Sequence, residues 1–536
     1  MEETVSGKES SWGACWMTDA AYLARATVAI ALLLGWSMMM SIAQAQPGES
    51  EEASDSQKLD SEVSVEAEDV LIVPTAGEDE EEALAGGKED LFRPDPQYDV
   101  DYEAEAQADV YGAKSAVEPP RPPIEFGRQQ YTSGEYDESS SLLGEKNLLL
   151  PGFAVYGDWR TAFAYNQNNG KEIGQVATRL NLDVDFKITG TERIHAFFTP
   201  LQNNTQFTRF EFAGRDASGD LDLEFDANPQ TLFFEGDVAA IYSGLSGTEA
   251  TFDLPFTVGL FPLFLQNGIW ANDAILGGAV SFPAKNSAAF GLSNFDITLF
   301  GAFDNVDNPG IIGGDSSNAN LFGVTAFIDA FGGYIETGYG LIDGRDDQAG
   351  LLTHFVTGAY SRRYYNTLSN TTRLFANFGE DPEGDSDGFA VISENSLITS
   401  LPSTLIPYAN FFAGFGNPQP LVDGFNAGIL KNVGINFETD ALTGYPKLDD
   451  SGSNAVGGAI GLQYLFDLDQ QLVFEAAMVQ PFKNDGIGAE DAQYGLGVRY
   501  QLPLDRAWLL RADATYHILE GTEDNFGIRG EVRRKF

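Results

Sequence analysis

Eleven charged residues in two separated parts of the chain stand at alternate positions among apolar neighbours. They are Asp158, Arg160, Arg179, Asp183, Asp185 and Lys187 towards the N-terminal side, and Arg499, Arg511, Asp513, Arg529 and Arg533 towards the C-terminal side. Glu531 shares the last alternation. Mixed-sign charges in rows do non-covalent chemistry: held around water they bias which ions and polar solutes pass, and held against each other they brace a wall as ion pairs. Both readings stand at this level. Covalent chemistry finds little material. There are three histidines, His195, His354 and His517, and no serine in triad order with them. No Gly-rich phosphate loop opens a helix, and the single cysteine, Cys15, precludes a zinc site and a disulfide framework. No enzyme, metal site or cofactor is expected. A net charge of −49, from 80 acidic and 31 basic residues, argues against nucleic-acid partners.

The elements that must position these charges show a period of two. Val176, Thr178, Leu180, Leu182, Val184, Phe186 and Ile188 oppose Gln175, Arg179, Asn181, Asp183, Asp185 and Lys187. Residues 153–165, 493–502, 508–518 and 526–535 alternate likewise. Such runs exceed the five or six residues usual in soluble strands and reach the nine to eleven of a tilted membrane strand. Tyr165, Trp159, Tyr500, Trp508 and Tyr516 stand on the apolar faces as a girdle would. Short turns (189–192, 467–470, 503–506) alternate with longer polar loops (166–174, 481–492, 520–525). Charges in mid-strand are poor material for a sandwich core, and a sheet in lipid must close. The expected fold is all-β: a transmembrane antiparallel β-barrel of 16–18 strands over residues 146–536.

Two segments precede it. Lys8 and Arg25 come before an apolar run, Ala26 to Met40, then Ala43-Gln44-Ala45, so residues 1–45 read as a signal peptide. Residues 46–145 read as a disordered, acidic, proline-containing periplasmic segment; from Gln46 to Pro120 it holds 23 acidic and four basic residues.

Three middle stretches read as loops. Residues 305–318 combine Asp, Asn and Gly, with a loop-bound Ca²⁺ as the alternative to a plain loop. Residues 379–388 form an acidic loop suited to divalent cations that bridge lipopolysaccharide. Between Ile398 and Gly424, Pro402, Pro407, Pro418 and Pro420 argue against a regular central strand. An infolded constriction loop, with Tyr408, Phe411, Phe412 and Phe415 as its apolar patch, is expected there, with a surface loop packing on the rim as the alternative.

The leader, amphipathic strands, loop alternation and terminal Phe536 together resemble Gram-negative outer-membrane porins. Val258–Phe264 with Asn267-Gly268-Ile269-Trp270 is faintly similar to the alginate-export porins, though those carry a basic lumen and residues 146–536 here hold 48 acidic and 23 basic residues. The resemblance implies an outer-membrane location, passive diffusion of small hydrophilic solutes, and Phe536 as a barrel-assembly signal. It implies outer-membrane lipids, lipopolysaccharide and the barrel-assembly machinery as partners, with a homotrimer as the common assembly. The acidic surplus suggests weak cation preference. The alternatives are a substrate-selective oligosaccharide channel and a plugged structural or adhesive barrel.

Overall fold

The computed structural model describes residues 122–127 and 139–536, apart from 291, 312–318, 381–386, 400–403, 425–426, 439–440, 467–469 and 485. The leader and the acidic segment to residue 121 lie outside the described residues. So do parts of the 305–318 and 379–388 loops.

In chain order the strands begin with β1 (Ile124–Gly127), β2 (Gly152–Asn168) and β3 (Lys171–Lys187). Next come β4 (Arg193–Phe198), β5 (Gln202–Asn203), β6 (Gln206–Ala213), β7 (Leu221–Asp222) and β8 (Pro229–Asp237). The helix α1 (Val238–Ser246) leads to β9 (Pro255–Leu265) and β10 (Ala271–Ser287). Then follow β11 (Leu292–Asp304), β12 (Ala319–Ala330), β13 (Gly333–Gly344), β14 (Leu352–Tyr364) and β15 (Leu368–Glu380). The last strands are β16 (Gly388–Leu397), β17 (Leu405–Gly416), β18 (Val422–Asp423), β19 (Ala455–Phe466), β20 (Gln470–Pro481), β21 (Gln493–Pro503), β22 (Trp508–Leu519) and β23 (Asn525–Lys535).

These make a closed antiparallel barrel of 18 strands. β4 and β6 both pair with β3 and form one interrupted stave, and β7 with β8 forms the next. β2 against β23 closes the ring, from Asp158 opposite Lys535 to Gln167 opposite Phe526. Phe536 exchanges backbone hydrogen bonds with Gly157. Closure leaves no sheet edge along that seam, as hydrocarbon demands.

The period-two faces behave as their chemistry dictates. Trp159, Phe163, Phe186, Leu496, Tyr516 and Ile528 are exposed on the outside, while Arg529, Asp513 and Glu531 are buried inside. β2 and β3 run longer than their sequence suggests. The expected polar loop 166–174 is a two-residue turn, Asn169-Gly170, with φ of 52° and 74°. Asn and Gly tolerate that left-handed conformation, which suits a tight hairpin. Order also begins ahead of residue 146: β1 pairs with the lower end of β2, Phe126 facing Phe153.

Pro407 does not break the 398–424 stretch into a loop. β17 runs through it, paired with β16 on one side and β19 on the other. The expected constriction residues therefore stand on a wall strand. Phe411 and Phe415 are exposed outside, and Phe412 and Tyr408 face inward. The infolded element is the next segment, residues 417–454.

A second core lies inside the barrel. The far end of the β9–β10 hairpin bends inward and buries Phe261, Leu263, Ile269, Trp270, Ala271 and Ile275. They pack with Phe300, Leu321, Ile342, Phe355, Phe375 and Ile392 from the inner face of β11–β16 and with Leu421, Ile429, Val433 and Phe437 from 417–454. Gly338 and Gly340 make room: a Cβ at either would lie 2.6 Å from Trp270 or Leu421, respectively.

Candidate functional site

Residues 417–454 cross the bore and are pinned on several sides. At one end, Asn308 Nδ2 donates to the Leu421 carbonyl at 3.0 Å, and Leu421 N donates to the Trp270 carbonyl at 2.7 Å. In the middle, the buried Glu475 carboxylate on β20 accepts from Ile435 N and Asn436 N at 2.9 Å each, from Asn436 Nδ2 at 2.8 Å and from Tyr408 Oη at 2.5 Å. At the other end, the Thr443 carbonyl accepts from Asn166 Nδ2 at 2.8 Å and from Gln175 Nε2 at 2.6 Å. Lys431 and Asp423 form a buried ion pair within the segment. The hairpin tip meets it where Asn432 Nδ2 donates to the Asn267 carbonyl at 2.7 Å, and Gln266 Nε2 reaches Thr357 Oγ1 on β14 at 2.7 Å.

The wall formed by β21, β22, β23, β2 and β3 carries a chain of charges. Arg499 and Arg511 each reach Asp513 at 2.7 Å, and Arg529 lies 3.5 Å from it. Arg529 pairs with Glu531, which Arg533 approaches to 3.4 Å. Arg533 then lies 3.7 Å from Asp158, and Arg160 closes on Asp158 at 2.6 Å. Glu438, from the infolded segment, contacts both Arg499 and Arg511. The register sets Arg533, Arg160 and Arg179 side by side across three strands. Adjacent like charges are unfavourable, and Asp158 offsets two of them. Arg179 lies 5.8 Å over the Phe207 ring.

Two cavities flank the crossing segment. One of about 540 Å³ is lined by Arg373, Glu394, Tyr408, Glu475 and Arg499, among others. One of about 370 Å³ is lined by Arg160, Arg179, Phe207, Phe264, Arg529 and Glu531, among others. Asn267, Lys431, Asn432 and Glu438 border both. These four residues stand between the two cavities.

The inward charges expected from the sequence thus divide. Arg160, Arg179, Arg499 and Arg529 line the cavities, while Asp158, Arg511, Asp513 and Arg533 complete the chain behind them. Asp183, Asp185 and Lys187 also face inward but nearer the rim that carries both barrel ends. There Asp185 lies 3.7 Å from Arg193, and Lys187 lines a separate recess with Glu235 and Asp237. Lys431, Glu438, Asn267 and Glu475 were missed. The signal available was a loop between two strands that carries Leu421, Ile429, Leu430, Val433 and Phe437, too apolar for a solvated surface loop. His195 lies 3.5 Å from Glu235, His354 bonds Tyr339 Oη at 2.7 Å, and His517 lies 3.1 Å from Asn436.

At the rim that carries the barrel ends, Glu192 holds the entering chain. Its carboxylate accepts from Asn147 Nδ2 at 2.8 Å, from Thr191 Oγ1 at 2.7 Å and from Thr189 Oγ1. Burial alone would push this carboxyl up; the hydrogen bonds from Thr189, Asn147 and Thr191 hold it below the ordinary glutamate value.

No family model matches the sequence, and no curated protein does. Solved structures do. The chain is similar to Pseudomonas aeruginosa OccK2 (OpdF) in complex with glucuronate, at 10% identity over 72% of this chain and 98% of that one, with a TM-score of 0.48. A BenF-like porin from Pseudomonas fluorescens Pf-5 gives 10% identity, 72% and 98% coverage and a TM-score of 0.47. Pseudomonas aeruginosa OccK5 (OpdH) gives 10%, 72% and 98%, and 0.43.

Proposed function

We propose that the chain is an outer-membrane porin through which small hydrophilic solutes diffuse passively. The observation that carries this is a closed barrel, apolar outside, whose bore holds two charged cavities with Asn267, Lys431, Asn432 and Glu438 as a common border. An apolar outer belt on a closed sheet fits hydrocarbon, and inward charges keep their hydration only if water fills the passage. Enzymatic function has no support from the placement of the three histidines.

The sign of ion preference follows the charges that line the cavities rather than the whole-region count. Around the smaller cavity stand Arg160, Arg179, Lys431 and Arg529 against Glu438 and Glu531. The larger one is balanced, with Arg373, Lys431 and Arg499 against Glu394, Glu438 and Glu475. A charge seen at close range across low-dielectric walls outweighs a screened one in a loop. The reading is therefore a lean towards anions, in place of the weak cation preference that the acidic surplus suggested. The constricted bore also favours a size-limited, selective channel over a wide general pore. The likeness at Val258–Trp270 to alginate-export channels plays no part in it. The barrel-assembly machinery, gripping β23 and Phe536, and outer-membrane lipids with lipopolysaccharide complete the reading.

Planar-bilayer recording under a salt gradient tests it. Discrete conductance steps with a reversal potential on the anion side are expected. Purified, folded protein that passes no ions would reject the channel.

A further inference from the structure

The barrel wall is not paired along its whole height. The ladder between β8 and β9 runs from Asp237 opposite Pro255 to Leu232 opposite Leu260 and stops there. Among the described residues, β9 continues to Leu265 paired only with β10, because this upper part bends into the bore. Among the same residues the facing stave is paired on its other side alone, Leu221 against Phe210 and Thr231 against Phe197. Pro262, which has no N–H to donate, stands in the stretch of β9 that lacks a β8 partner; proline belongs at sheet edges.

This break lies within the apolar belt. Phe210, opposite Leu221, is itself opposite Val176, which is opposite Phe163, an exposed outward residue. Along the free edge Leu221, Leu223 and Phe225 are 59%, 73% and 75% exposed, alternating with Asp222, Glu224 and Asp226. On β9, one face carries Val258 outside and then, two turns of the pleat beyond the end of the ladder, Phe264, which is 62% exposed and lines the smaller cavity with Phe207 and Leu442. A single strand face therefore begins in the outer belt and ends in the cavity. That cavity holds four cationic side chains against two anionic ones.

From this geometry we infer a lateral portal between the β7–β8 stave and β9, through which a single-chain amphiphile with an anionic head enters: head among Arg160, Arg179 and Arg529, chain along Phe264 and out past Leu223 and Phe225. An apolar chain gains by leaving water along that face, and a head group near the guanidinium groups gains charge-assisted hydrogen bonds. The inference rests on the membrane-barrel reading above.

The test uses the full chain with Cys15→Ser and one fluorophore-bearing cysteine, at Val258→Cys, Phe264→Cys or Thr371→Cys, reconstituted in phosphatidylcholine vesicles. Thr371 faces inward beside the larger cavity. The quenchers are doxyl-phosphatidylcholine, 16-doxylstearate and the short, water-soluble 3-carboxy-proxyl. The expected result is quenching of the label at 264 by 16-doxylstearate and by 3-carboxy-proxyl alike, with the label at 371 responding to 3-carboxy-proxyl alone. Leu223→Lys, which charges the rim of the portal, should weaken quenching at 264 by 16-doxylstearate and leave salt conductance unchanged. Quenching at 264 by 3-carboxy-proxyl alone overturns the portal. Quenching there by doxyl-phosphatidylcholine as strongly as by 16-doxylstearate also overturns the amphiphile, because the gap is then filled by bulk lipid. A label at 258 that no lipid-bound quencher reaches would instead reject the membrane barrel itself.

Discussion

Strands β11–β16 line their side of the bore with Phe300, Leu321, Ile342, Phe355, Phe375 and Ile392. Across from them, β21–β23, β2 and β3 present Arg499, Arg511, Asp513, Arg529, Glu531, Arg533, Asp158 and Arg160. The infolded hairpin and the apolar residues of 417–454 pack on the first side; on the second, the crossing segment makes polar contacts, as from Glu438 to Arg499 and Arg511 and from Asn436 to Thr515. The apolar side supplies what a loop needs to be held in mid-bore: contact area that needs no partner of matching charge. The charged side supplies what passing solutes meet. Apolar packing is thus concentrated on one wall and ion pairs on the other, and the infolded segment joins them, with Leu421 and Phe437 in the apolar core and Glu438 on Arg499 and Arg511, while Glu475 of β20 pins residues 435–436.

This contrast can be broken most severely at Trp270. It is fully buried between the hairpin, Gly338 and Leu421, so Trp270→Ala should cost about 3–5 kcal/mol. A lowered melting temperature in detergent, together with larger and noisier single-channel steps, is the expected outcome. Glu475→Ala comes next. It strands the donors of Ile435, Asn436 and Tyr408, a loss of about 3 kcal/mol, and its signature is a raised conductance with the reversal potential moved to the anion side, because the larger cavity loses one of its carboxylates. A conductance equal to that of the parent would show that residues 434–436 are held by packing alone.

On the charged wall the effect should appear in selectivity as well as in stability. Asp513→Asn keeps an oxygen acceptor for Arg499 and Arg511 but removes the buried charge from among three guanidinium groups, at a cost of about 3 kcal/mol. The reversal potential should move further to the anion side. The smallest effect concerns Glu192. Its carboxyl sits below the ordinary value of 4.5 in the folded state, so its contribution is complete above that pH and fades as pH falls through the lowered folded value. Glu192→Gln should lower the neutral plateau of a pH–stability curve and flatten its acid limb, the two curves converging as pH falls through the lowered folded value; a parallel shift at all pH values would contradict this.

The two walls also differ in how openly the sequence declares them. The charged wall alternates strictly, because one face meets hydrocarbon and the other meets water. Residues such as Asp183-Val184-Asp185-Phe186 can be sorted by eye, and the outward faces of β2, β3 and β21–β23 follow directly. On the apolar wall both faces are greasy. In Leu299-Phe300-Gly301-Ala302-Phe303 the residue that faces the inner core cannot be told from those facing out, because alternation has nothing to contrast. Pro407 misled for a related reason: the rule against proline in central strands concerns a lost donor, and Pro407 pairs with Leu462 of β19 just beyond the point, Tyr408, where the β16 ladder ends. The crossing segment was hidden by its composition of turns, and its apolar residues gained meaning only once a facing wall was in place. Gly338 and Gly340, flanking Tyr339, were the clue in plain view: two small residues on one face, leaving a berth for Trp270 and Leu421.

The seam between β2 and β23 joins groups 356 positions apart along the chain, as in the bond from Asn169 to Asn525. Until those two partners meet, any partly assembled cylinder keeps two raw borders that would readily zip onto a stranger. Ring completion is consequently an all-or-nothing step: a copy broken or stalled anywhere in between keeps both of those borders bare.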